Sequence, residues 1–180
     1  MEININCDLG ESSKLHSTEN DPLLLNIVNS ANIACGYHAG DEMTMEKTIE
    51  ISKKNSVSIG AHPSFKDREN FGRKRLNLSS IEISKLITVQ INILSEIAST
   101  NGMKVTHVKP HGALNNMGCE DFKLANIIAK TIKDIDKNII FLLLAISEII
   151  LICSVINFLI STEDKFNLFL PKFSLSLKEG

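Results

Sequence analysis

The chain opens on a strict alternation. Ile3, Ile5 and Cys7 fall on one face of an extended segment from Met1 to Cys7, and Asn4, Asn6 and Asp8 fall on the other. Asp21-Pro22 reads as the N-cap and first residue of a helix running to about Asn29, followed by a short strand, Ala31 to Cys35. Asp41 caps a helix that places Met45, Thr48, Ile49 and Ser52 on one stripe, and Val57 to Gly60 supplies a third strand. After a polar loop from Ala61 to Leu78, Ser79 and Glu82 form a capping box. The helix it starts repeats Ile83, Leu86, Ile87, Gln90, Ile91, Leu94 and Ile97 at spacings of three and four, and Asn101-Gly102 ends it. Val105 to Lys109 is a fourth strand, and Glu120 to Lys133 a helix charged as its dipole favours. Ile139 to Ala145 is a continuous apolar run, as expected of a strand buried on both faces. Alternating β and α units predict an α/β fold with a parallel sheet and right-handed crossovers.

Polar blocks stand where these strands end: Asn6-Cys7-Asp8-Leu9-Gly10-Glu11, Ala34 to Asp41, Gly60 to Phe65, and His107 to Gly112. In parallel α/β folds the C-terminal ends of the strands converge on one mouth, where ligands bind. The blocks are therefore expected to build a single site from segments about a hundred residues apart.

Composition narrows the picture. A chain of 180 residues has room for one domain with a real core. Its 43% hydrophobic and 22% charged content is ordinary globular usage, and a net charge of −2 argues against nucleic acid or an anionic membrane surface as a partner. The chain starts on a strand pattern, without a secretory signal, and Cys7, Cys35, Cys119 and Cys153 lack CxxC spacing. They are read as reduced thiols of a cytoplasmic protein. Ile139 to Ile160 is long enough to span a bilayer, but Glu148 and Asn157 interrupt it, so a buried strand, a turn and an apolar helix are expected instead.

Asp8 and Glu11 are candidates for a general base or a metal ligand; the plainer alternative is a cap or a loop charge. Asp8, His38 and His62, from three strand ends, could form a facial set for a divalent metal, or the histidines could act as hydrogen-bonding electrophiles without one. Arg68 and Arg73 lie in the long loop, either as solvated surface or as a lid gripping a carboxylate or phosphate. Lys109 at a strand end requires an anion nearby, and His111 follows it two residues on, after Pro110. Asn6, Asp41 and His107 complete the candidate substrate contacts, with a structural role equally open for the deeper His107. Asn115 and Asn116 could line the pocket or form a turn, and His16 is expected in solvent. No P-loop or Rossmann glycine pattern occurs.

The stretches NCDLGE, SANIACGYHAGD, IGAHPSFKDRENFGR and HVKPHGAL resemble, in this order, the LamB/YcsF family, from about Ile3 to about Ile150. The resemblance implies a deformed, TIM-like (β/α) barrel related to the glycoside hydrolase/deacetylase barrels. It implies ATP-dependent opening of 5-oxoproline to L-glutamate, together with the B and C subunits of 5-oxoprolinase. On that reading Asp8 or Glu11 activates water, His38 and His62 polarise an oxygen, and Lys109 with His111 holds the anion. Residues 151–180 depart from the family pattern and read as a divergent apolar tail. Five expected strands fall short of the eight of a closed barrel of roughly 250 residues. A truncated or frame-shifted member is therefore expected, incomplete at its C-terminus. The alternatives are a metal-dependent deacetylase-like hydrolase and an inactive remnant or binding subunit.

Overall fold

A computed structural model describes residues 3–14 and 16–142. The elements follow one another as β1 (Asn6–Leu9), α1 (Asp21–Leu24), β2 (Ser30–Ala34), α2 (Glu42–Lys54), β3 (Ser58–His62), α3 (Ser80–Thr100), β4 (Val105–Val108), α4 (Gly112–Glu120), α5 (Phe122–Ile135) and β5 (Ile140–Phe141). The five strands form one sheet in the order β1-β2-β3-β4-β5, and every neighbouring pair is parallel. A doubly wound sheet reverses its strand order at a switch point; here spatial order equals chain order, as in the wall of a (β/α) barrel. The expected α/β, TIM-like fold class is thus the observed one, and the strand ends do share one mouth.

One face of the sheet packs under the helices. Ala31, Ile33, Ile59, Ala61 and Val108 meet Met45 and Ile49 of α2, Ile83, Ile87, Ile91 and Leu94 of α3, and Leu124, Ile128 and Ile132 of α5 in a single core. The capping box of α3 is complete, with the Ser79 side chain accepting from the Glu82 backbone N–H and the Glu82 carboxylate accepting from that of Ser79. A cap contributes about 1 kcal/mol, whereas each fully buried aliphatic side chain contributes about 1.5–3 kcal/mol. Packing therefore holds α3 in place, and the cap sets where it starts.

The expected elements shift at their ends. β1 begins at Asn6, and α1 stops at Leu24, five residues before its expected end, as Leu25 turns into the core. The helix expected from Glu120 begins at Phe122, and a further helix that was not expected, α4, precedes it. Asp121 is extended (φ −124°, ψ 108°) and its carboxylate accepts from the N–H groups of Lys123 and Leu124, so it caps α5 and separates it from α4. Asn115 and Asn116 lie within α4. Of the apolar run from Ile139, the residues beyond 142 lie outside the described residues, as do the expected boundary near residue 150 and the tail 151–180. Among the described residues no helix is long and apolar enough to cross a membrane.

The opposite face of the sheet carries a polar row. Register places Asp8 beside Asn32, Asn32 beside Gly60, and Gly60 beside His107. Gly60 leaves the space that the His107 ring occupies; a Cβ there would overlap the ring. His107 thereby reaches across β3 and donates from Nε2 to Oδ1 of Asn32 at 3.0 Å. Gly60→Ala is expected to cost about 1–3 kcal/mol through overpacking, read as a lowered melting midpoint. Burial pushes His107 from its ordinary 6.5 down to about 4. It is neutral in the fold, and the unfolded chain binds the extra proton. Its contribution is therefore complete above pH 6.5 and is lost as pH falls towards 4, on the order of 3 kcal/mol in all. Denaturation midpoints measured across that range should fall less steeply in His107→Gln than in the parent chain; identical slopes would exclude this group as a source.

Candidate functional site at the mouth of the sheet

Asp8 stands in β1, two residues before the turn at Gly10, and Lys109 follows directly on β4. Lys109 Nζ donates to Asp8 Oδ1 at 2.7 Å and Oδ2 at 2.9 Å, and Asn32 Nδ2 donates to Oδ1 at 2.8 Å. Both charged side chains are partly exposed, 32% for Asp8 and 22% for Lys109, so the pair faces the mouth. Burial would raise the Asp8 carboxyl, but His62 and Lys109 outweigh it and hold it below the ordinary carboxylate value. His62 is itself kept neutral by burial, which pushes it down to about 3, so the Lys109 ammonium and its hydrogen bonds carry the stabilisation of ionised Asp8. The anion that Lys109 requires is Asp8. Asn32 also donates to Asn6 Oδ1 at 2.9 Å, which fixes Asn6 at the outer end of the same row.

Beside this pair, Glu11, His38, His62 and His111 form a group whose potential ligand atoms lie within 4.8 Å of one another. This possible metal-binding cluster differs from the expected Asp8, His38 and His62. Asp8 is engaged by Lys109 and Asn32, while the turn at Gly10 brings Glu11 over the histidines. Glu11 Oε1 lies 3.1 Å from His38 Nε2, 3.4 Å from His111 Nδ1 and 3.7 Å from His62 Nε2. Burial would raise the Glu11 carboxyl, yet the bond from His38 and the neighbouring imidazoles hold it below its ordinary value. Burial also lowers His111, to about 4. The rings of His38 and His111 stack, with centroids 3.9 Å apart and planes 7° from parallel, and His62 stands edge-on to both.

The loop from 63 to 79 holds this cluster. Gln90 of α3 accepts from the Ser64 N–H and donates to the Ser64 carbonyl, pinning the start of the loop. Phe71 is buried with φ at 54°, an uncommon conformation for an aromatic residue, and its ring lies edge-on to both His38 and His111. Its carbonyl accepts from His111 Nε2 at 3.0 Å. At Gly72 a Cβ would overlap Ser64 Oγ, so only glycine allows the loop this close to the histidines. The loop is thus packed against the site. Arg68 donates to the carbonyls of Gly36 (2.8 Å) and Gly40 (2.6 Å), tying the loop to the segment after β2. Arg73 lies over the Phe71 ring, 5.6 Å from its centroid, with its side chain exposed at the rim. Asp41 caps α2, accepting from the Thr44 N–H and hydroxyl. His16 is exposed, as expected, and stacks on Phe71.

Asp8, Glu11, His38, His62, Lys109 and His111 therefore meet in one place. Arg68 and Asp41 serve the loops around it, and His107 lies in the row beneath. Asn32 and the Phe71 carbonyl escaped sequence reasoning. The alternation Ser30-x-Asn32-x-Ala34 against Ala31-x-Ile33-x-Cys35 could have flagged Asn32, because a buried amide in a strand needs partners.

Comparison with known proteins accords with this fold. The model of the LamB/YcsF family matches residues 3–164. A protein from Nitrobacter hamburgensis, named as the A subunit of 5-oxoprolinase, is 48% identical over 151 residues, which cover 83% of this chain and 59% of that protein. Its namesake from Staphylococcus epidermidis is 42% identical over 163 residues, covering 91% and 65%. The crystal structure of a lactam utilization protein from Thermus thermophilus superposes with a TM-score of 0.79 at 33% identity, over 86% of this chain and 64% of that one. The chain spans about three-fifths of the length of the curated relatives it matches. By fold and by sequence, the chain belongs to the LamB/YcsF family.

Proposed function

We propose that this chain carries the hydrolytic site of a 5-oxoprolinase-type enzyme, which opens the lactam of 5-oxoproline to L-glutamate at the expense of ATP, in a complex with B and C subunits. The observation that carries this reading is the partly exposed Asp8–Lys109 pair beside a buried imidazole cluster. The names of the relatives and of the superposed structure, which speak of 5-oxoprolinase and of lactam utilization, supply the substrate class.

A lactam carbonyl is a poor electrophile. Transfer of the ATP γ-phosphoryl group to its oxygen, releasing ADP, turns that oxygen into a leaving group. Water then adds to the ring carbon, the adduct expels the ring nitrogen as it takes a proton, and the resulting γ-glutamyl phosphate is hydrolysed by a second water to glutamate and phosphate. Asp8 is ionised at neutral pH and can take the proton from water, with Glu11 as the second carboxylate within reach. Lys109, positioned by Asp8, offsets charge developing on the oxygen or phosphate. His62 and His111 are neutral and lie beside the pair, next to Glu11. Arg73, exposed over the Phe71 ring, is the candidate partner for the substrate carboxylate.

The cluster of Glu11, His38, His62 and His111 favours a second reading, a metal-dependent deacetylase-like hydrolase that needs no ATP. Reconstitution with the B and C subunits separates the two. ATP-dependent glutamate formation from 5-oxoproline is expected, and Asp8→Asn and Lys109→Ala should each lower it by on the order of 10² to 10⁴. Near-normal turnover in both variants would sink the assignment of these residues. ATP-independent release of acetate from N-acetylated sugars would favour the second reading. A folded chain that binds its B and C partners without turnover would instead mark a binding component.

A further inference from the structure

The hydrogen bonds around His62 and His111 create a conflict that neutral imidazoles do not resolve. A backbone carbonyl can only accept, so each ring nitrogen facing one must carry hydrogen. His62 Nδ1 faces the Lys109 carbonyl at 2.5 Å, and His111 Nε2 faces the Phe71 carbonyl at 3.0 Å. The remaining nitrogens, His62 Nε2 and His111 Nδ1, then present lone pairs to each other at 2.9 Å. The Glu11 carboxylate, also an acceptor, completes the triangle at 3.7 and 3.4 Å. Three acceptors converge in a site where His62 is 1% exposed. Something positive is required between them.

His38 stands apart from this triangle for a geometric reason. An ion bound by an imidazole lies close to that ring's plane. The planes of His38 and His111 are nearly parallel and stacked, so one ion cannot lie in both. His38 instead has an unpartnered, buried Nδ1, which leaves its hydrogen on Nε2, donating to Glu11 at 3.1 Å. That is the arrangement of an outer residue orienting a ligand.

We propose that His62 Nε2, His111 Nδ1 and the Glu11 carboxylate bind one divalent transition-metal ion of the zinc class, with His38 orienting Glu11 and with Asp8 outside the ligand set. Two imidazoles and one carboxylate suit zinc, and three protein ligands are the pattern of catalytic rather than structural zinc sites. The carbonyls of Lys109 and Phe71 act as the outer partners that fix both ring tautomers, as is usual for metal-bound histidine. The inference rests on the site described above and not on its substrate.

The test is binding without turnover. The full chain, stripped with chelator, is titrated with zinc chloride by calorimetry, and with cobalt(II) by visible absorption. One ion per chain and a tetrahedral-type cobalt spectrum are expected. His111→Ala and Glu11→Gln should each weaken zinc by more than about tenfold, whereas His16→Ala, which removes the exposed histidine nearby, should leave the affinity unchanged. Circular dichroism confirms that each variant is folded, and the cobalt spectrum of the parent chain stands independently of them. Substoichiometric uptake, an octahedral-type cobalt spectrum, or binding lost with His16 but kept with His111→Ala overturns the proposal. Because no substrate is present, these outcomes are independent of whether the lactam is the substrate.

Discussion

The mouth of this sheet is organised by one carboxylate. Asp8 accepts two hydrogen bonds from Lys109 and one from Asn32, joining β1, β2 and the end of β4 across 101 residues of sequence. Partial burial would by itself favour the protonated acid. The ammonium of Lys109 reverses that preference, and neither charge is left unpaired in the low-dielectric face of the sheet. Removing either partner strands the other in a partly buried face.

Beneath the pair, a row of side chains carries the constraint through the sheet. Asn32 donates to Asp8 and Asn6 and accepts from His107, which is possible only because Gly60 has no side chain in the way. This satisfies the amide of a residue with no solvent exposure at all. Above the pair, the 63–79 loop supplies a carbonyl from Phe71, and the end of β4 supplies one through Lys109. Together they decide which nitrogen of His111 and of His62 is available to a ligand. Backbone carbonyls, rather than reactive side chains, thus set the chemistry of the histidines.

Much of this was legible before the structure. The two-residue period of β1, the three-and-four period of α3 and its capping box report local geometry, and local geometry is what periodicity encodes. Helix α4 was not legible, because its Gly112, Asn115, Asn116 and Gly118 are weak helix formers that read as a turn, and packing rather than propensity holds them helical. The loop with Arg68 read as either lid or solvated surface. Its role turns on two carbonyls after β2, acceptors that every residue has and that no sequence distinguishes.

By itself the sequence determined the order of the strands, the parallel sheet and the convergence of Asp8, Glu11, His38, His62, Lys109 and His111 on one mouth. Each of these follows from strand ends being marked by polar blocks, and parallel strands point the same way. Only the tertiary structure decided how those residues divide. Asp8 goes to Lys109, and Glu11 goes to the imidazoles, because the turn at Gly10 and the register of β1 on β2 fix which carboxylate reaches which partner. Two acidic side chains three residues apart are alike in sequence; distances of a few ångströms set by distant strands make them different.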